Sequence, residues 1–183
     1  MQALTTEQYQ TIIRTTRTGG YGLRANPRIA AALTAEANLG IRIGDVLNLK
    51  LSDIILDGGR YRLNIVEEKT GKRRTFTVPE AVYQFFCDYC KDHNIASNER
   101  MFPICTYAVQ KHLKKVCDAL GYQNISTHSF RKWYATDIYN QNGHDIILVQ
   151  QLLQHSSPMT TRRYIGISEE KVEQAIASHV LIA

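Results

Sequence analysis

The chain has 183 residues, 44% hydrophobic and 21% charged, the balance of a globular protein with one substantial core. No run reaches the apolar length of a membrane helix and the opening MQALTTEQYQ is too polar for a secretory signal, so membrane and secreted proteins are excluded and the cytoplasm is expected. The formal charge of +5 fits a polyanionic partner, although an excess of this size also occurs in proteins that bind none.

In chain order, Thr5-Thr6-Glu7-Gln8 reads as a capping box opening a helix through Arg14. Gly19-Gly20 and Pro27 end it and start a second, in which Ile29, Ala32, Leu33 and Ala37 share one buried face and Gly40 is the stop. Val46, Leu47 and Leu49 belong to the next apolar patch, and Leu56-Asp57-Gly58-Gly59 is a turn. The pattern then has period two. Tyr61, Leu63 and Ile65 alternate with Arg62 and Asn64, and Thr75 to Val78 follow Lys69-Thr70-Gly71-Lys72, which predicts a strand, a tight turn and a strand with Lys69 near the tip.

Helices are predicted from Pro79 through about Lys91, from Thr106 to Leu120, and from Thr127 into the Asn140 region, where Asn142-Gly143 closes the segment. Asp145 can cap a helix through Leu153, and Ser168 to Val180 reads as a last amphipathic helix. The fold class is mainly α with a small antiparallel β-sheet, without internal repeats or low-complexity linkers. Cys87-x-x-Cys90 with His93 behind it raises a zinc site, but aromatic residues surround the pair, and Cys105 and Cys117 form no second close pair. Buried reduced thiols and no metal are therefore expected.

The most informative residues are dispersed: Arg42, Lys69, His128, Arg131, His155 and Tyr164. Two arginines and a lysine can neutralise phosphoryl oxygens, two imidazoles can position protons, and a phenol can bond covalently to phosphorus. Each has a bland alternative. Arg42 can pair with Asp45 or Asp53 at the surface, and Lys69 can belong to a solvated turn in which Lys72 is its rival. His128 and Arg131, one helical turn apart, can be a cap and a surface charge, with Trp133 and Tyr134 anchoring their helix. His155 and Tyr164 would point to opposite faces of a continuous helix, but Ser156-Ser157-Pro158 breaks it and permits convergence.

These residues fall within LGIRIGDVLNLKLSDI, EEKTGKRRTFTVP, THSFRKWYATDIY and LLQHSSPMTTRRYIG, four stretches that together resemble the catalytic domain of the tyrosine recombinases, or phage integrase family. The resemblance implies that Arg42 and Arg131 clamp the scissile phosphate of double-stranded DNA. His155 would add a hydrogen bond, His128 would assist proton transfer, and Lys69 would protonate the departing 5′ oxygen. Tyr164 would attack, giving a 3′-phosphotyrosyl link without metal, nucleotide or other cofactor. Lys72, Arg73, Arg74, Lys132, Arg162 and Arg163 are expected along the DNA.

Some positions depart from the family pattern: Gln154 stands where Gly is usual, Asp45 where Glu is commoner, and Thr127 where Pro is frequent. The implied organisation is one catalytic domain over residues 1–183, without the helical core-binding domain that family members carry ahead of it. The expected assembly is a monomer when free and a homotetramer on DNA, with residues 168–183 docking on a neighbouring protomer. Topoisomerase-like DNA relaxation and a non-cleaving accessory DNA-binding protein are the rival readings.

Overall fold

The computed structural model describes residues 3–153 and 158–165. Backbone contacts divide the chain into two units, Met1–Tyr134 and Ala135–Ala183.

In the first unit, helix α1 (Thr6–Thr18) opens on the expected capping box, with Thr5 Oγ1 accepting from the Gln8 N–H and Gln8 Oε1 accepting from the Thr5 N–H. It runs past Arg14 because Thr15 and Thr16 are also buried, and it stops at Gly19 with φ +79°. Helix α2 (Pro27–Leu39) is capped by the Asn26 side chain, which accepts from the Ile29 N–H at 3.1 Å. Its Ala30, Ala31, Ala32, Ala35 and Ala37 are all buried, and small side chains of this kind let neighbouring backbones approach closely. Gly40 ends the helix in the left-handed conformation, and α3 (Ile43–Asn48) follows.

The sheet has three strands where the sequence predicts two. β1 (Ile54–Asp57), β2 (Arg60–Val66) and β3 (Arg73–Thr77) pair antiparallel in that order, with Ile54 opposite Leu63 and Leu63 opposite Phe76. β1 carries no alternating signal because it is an edge strand with only Ile54 buried. Helices α4 (Glu80–Asp92), α5 (Thr106–Ala119) and α6 (Thr127–Gln141) lie close to their predicted bounds. One apolar core joins Ile12, Leu33, Leu63, Phe86, Phe102, Leu113 and Phe130. Trp133 stacks on Tyr9 at 4.8 Å and Phe130 meets the same ring edge-on at 6.1 Å, which fixes α6 against α1. All four cysteines are free; Cys90 and Cys117 are buried, and burial raises both thiol pKa values, that of Cys117 to about 11.

In the second unit, α6 gives way to the turn at Gly143, and α7 (Ile146–Leu153) begins under Asp145. Asp145 Oδ1 accepts from the Ile147 and Leu148 N–H groups at 2.9 and 3.0 Å, the predicted cap. Pro158 opens a separate short helix, α8 (Pro158–Ile165), which packs against α7. The helix predicted from Ser168 lies outside the described residues. No helix among the described residues is long and apolar enough to cross a membrane.

Candidate active site

Arg42 owes its placement to the corner between α2 and α3. Gly40 turns the chain with φ +59°, Ile41 and Ile43 are buried on either side, and Arg42 is extended at φ −72° and ψ 148° as the N-cap of α3. Its partner is Glu67, not Asp45 or Asp53: Nη1 lies 2.7 Å from Glu67 Oε2. Glu67 also accepts from Thr70 Oγ1 at 2.8 Å and lies 3.5 Å from Arg74. Burial pushes the Glu67 carboxyl up, but the hydrogen bonds from Arg42 and Thr70 and the charges of Arg42 and Arg74 outweigh it and hold it below the ordinary range.

Lys69 is exposed in the turn between β2 and β3. The Glu67 carbonyl accepts from the Gly71 N–H at 2.8 Å, and the Glu67 N–H donates to the Lys72 carbonyl at 3.0 Å. Gly71 supplies the positive φ of +64° that closes the turn. The turn is also tied to α3, because Asp45 Oδ1 accepts from the Glu68 N–H at 2.8 Å. Lys72 and Arg73 are exposed at the surface, as a DNA contact requires.

Arg74 differs from the expectation. It is only 3% exposed, since it lies on the inward face of β3 next to outward Arg73. Burial and then the charge of Arg131 lower its pKa to about 10, so it remains a cation, but one committed to Glu67 and not presented to DNA.

Helix α6 carries His128 and Arg131 one turn apart. Arg131 is 2% exposed, and its Nη1 donates to the Gly40 carbonyl at 2.6 Å, so the surface-charge alternative does not hold. Glu36 on α2 lies in the same buried region. Burial raises its pKa well above the ordinary carboxylate value, against the opposing pull of the Arg131 charge and the Ile43 N–H. His128 is exposed at the surface, yet partial desolvation and then the charges of Arg131, Lys69 and Arg42 depress its pKa. A neutral imidazole that can accept a proton is the consequence.

Arg42, Lys69 and His128 line one cavity of ≈ 430 Å³, together with Gly44, Thr106 and Gln110. Lys69 rather than Lys72 therefore faces the site. Tyr164 is half-buried on α8, where Thr161 is buried and Arg162 exposed. Lys132 on α6 is half-buried. His155 and the side chain of Arg163 lie outside the described residues.

Sequence reasoning passed over Glu36 and Glu67, and both had a signal. Glu36 interrupts the apolar face defined by Ile29, Leu33 and Ala37, and Glu67 continues the inward alternation of Tyr61, Leu63 and Ile65. A carboxylate on a core-facing position needs a buried partner, which for Glu67 is an arginine.

This is a helical domain with a small sheet whose arginine, lysine and histidine converge on a cleft suited to a phosphate. The sequence profile of the phage integrase family matches residues 2–171, and the chain belongs to that family. It is 33% identical over 162 residues to a probable integrase/recombinase, YoeC, of Bacillus subtilis, a match covering 85% of this chain and 86% of that protein. It is 28% identical to the tyrosine recombinase XerC of Caldanaerobacter subterraneus, covering 82% of this chain but only 44% of that one. Its fold is that of a lambda integrase tetramer solved on a Holliday junction, with a TM-score of 0.69 at 20% identity over 89% of this chain and 47% of that one.

Proposed function

We propose that this chain is the catalytic domain of a site-specific recombinase that cuts and rejoins double-stranded DNA through a 3′-phosphotyrosyl intermediate. The observation that carries the reading is the convergence of Arg42, Lys69 and His128 on one cavity, with Arg131 anchored two residues from Arg42. Arg42 and Arg131 stabilise the charge of the pentacoordinate transition state, held in place before substrate arrives. His128 accepts the phenolic proton as Tyr164 attacks phosphorus. Lys69 delivers a proton to the departing 5′ oxygen. The phosphodiester energy is kept in the tyrosyl link, so the attack of a 5′ hydroxyl reseals the strand without ATP.

The membership in the integrase family and the XerC likeness support this over DNA relaxation or accessory binding. Exposed Lys72, Arg73 and Arg162 fit contacts along the DNA backbone, and such contacts make binding salt-dependent. We place the protein in the cytoplasm as a monomer that assembles into a tetramer on its DNA, with residues 168–183 docking on the adjoining protomer. Deleting those residues is expected to weaken assembly on a recombination site.

The test is covalent trapping on a nicked suicide duplex, in chelator and without nucleotide. The intact chain is expected to form an adduct that Tyr164→Phe cannot form, while DNA binding by the variant stays near that of the intact chain. An adduct retained by Tyr164→Phe, or a strict requirement for magnesium, overturns the mechanism.

A further inference from the structure

We propose that Glu67 is a positioning residue for strand cleavage, coupling the phosphate-holding Arg42 to the turn that carries Lys69; this rests on the function proposed above. Glu67 Oε2 accepts from Arg42 Nη1 at 2.7 Å and from Thr70 Oγ1 at 2.8 Å, so one carboxylate oxygen holds both sides of the cavity. The backbone of the same residue closes the turn, through the Lys72 carbonyl and the Gly71 N–H. Lys69 sits between these anchors. Its reach toward a leaving oxygen is therefore set by the residue that sets the orientation of Arg42.

A role in stability alone accounts poorly for this arrangement. Taking a carboxylate to 1% exposure among two guanidinium groups is costly, and such groups are often replaced by apolar residues at no loss of stability. What an apolar residue cannot do is orient. With Nη1 committed to Glu67, the planar fork of Arg42 is fixed and its remaining N–H groups can meet a phosphate in one orientation. Without the carboxylate, Arg42 and Arg74 lose the countercharge between them.

The readout is the rate of covalent adduct formation in single turnover by the full chain. Two suicide duplexes are used, one with the normal 5′ oxygen and one with sulfur at the bridging position, which departs without a proton. Glu67→Gln keeps the shape of the side chain, and Thr70→Val removes only the hydroxyl that joins the exposed turn to Glu67. Each variant is expected to cleave the oxygen duplex about tenfold or more slowly, a fraction of what a general acid contributes; Thr70→Val recovers most of that loss on the sulfur duplex, and Glu67→Gln, which also loosens Arg42, recovers part of it. Lys69→Ala serves as the reference for full rescue. Equal losses on both duplexes, or wild-type rates in both variants, overturn the inference while leaving the function intact. No adduct from the unaltered chain on either duplex overturns the function, and this inference with it.

Discussion

Arg131 Nη1 donates to the carbonyl oxygen of Gly40 across 2.6 Å, joining residues 91 apart in sequence. Gly40 is two residues before Arg42, so a single buried hydrogen bond ties Arg131 to the corner that carries Arg42. The Tyr134 ring, one turn beyond Arg131, covers Gly40 so closely that a methyl group there would overlap it. A site built from α2, α3 and α6 is thereby locked at one backbone position.

Gly40→Ala tests that lock. Its φ of +59° penalises any side chain, and the added methyl must displace the Tyr134 ring. A loss of about 2 kcal/mol is expected, seen as a fall in Tm of about 4–8 °C for a chain of this size. The rate of adduct formation should fall with it. A melting curve that superimposes on the wild type would show that the corner is not under constraint.

The depressed pKa of His128 makes a prediction for pH. Burial and three cations favour the neutral ring, so the folded value lies below the ordinary 6.5. If the neutral imidazole takes the phenolic proton, the second-order rate of adduct formation is level above that value and falls as pH drops through the folded pKa. Stability has the same sign: the unfolded chain takes the proton first, so the contribution of His128 is complete above pH 6.5 and is lost as pH falls. His128→Asn should flatten the acid limb. A midpoint above 6.5 in the free protein, or a limb that survives the substitution, contradicts the assignment.

Glu36 gives the opposite sign. Its folded pKa is raised by burial, so its contribution to stability is present below about 4.5 and is lost as pH rises toward the folded value. Glu36→Gln removes the titration while keeping the shape. Its Tm should match the wild type near pH 4 and exceed it by several degrees at pH 9, at about 2–4 °C for each kcal/mol. An advantage that does not change with pH would mean that the carboxyl is already ionised in the folded chain.

Helices were the most legible part of the chain because their signals are local. The Thr5 box, the Asn142-Gly143 turn, the Asp145 cap and Pro158 each act within a few residues, and the structure places helix ends at or beside them. β1 was not legible, since an edge strand with three exposed residues alternates nothing and is defined by its pairing with β2. Arg73 and Arg74 are chemically alike in sequence. Only the pleat of β3 sends one to solvent and the other to Glu67.

By itself the sequence determined the class of chemistry, because the residue types that can bind and attack a phosphate are few and their order along the chain matches one family. It also determined that Gly40 would end a helix just ahead of Arg42, since only the local backbone decides that. The tertiary structure alone decided which carboxylate would meet Arg42, which lysine would line the cavity, and which charges would depress His128. Apart from the charge of Arg131, three residues from His128, those relations join residues 25 or more positions apart, as for Arg42 and Glu67. Their energies depend on burial and on the dielectric around each pair, and neither exists until the core has closed.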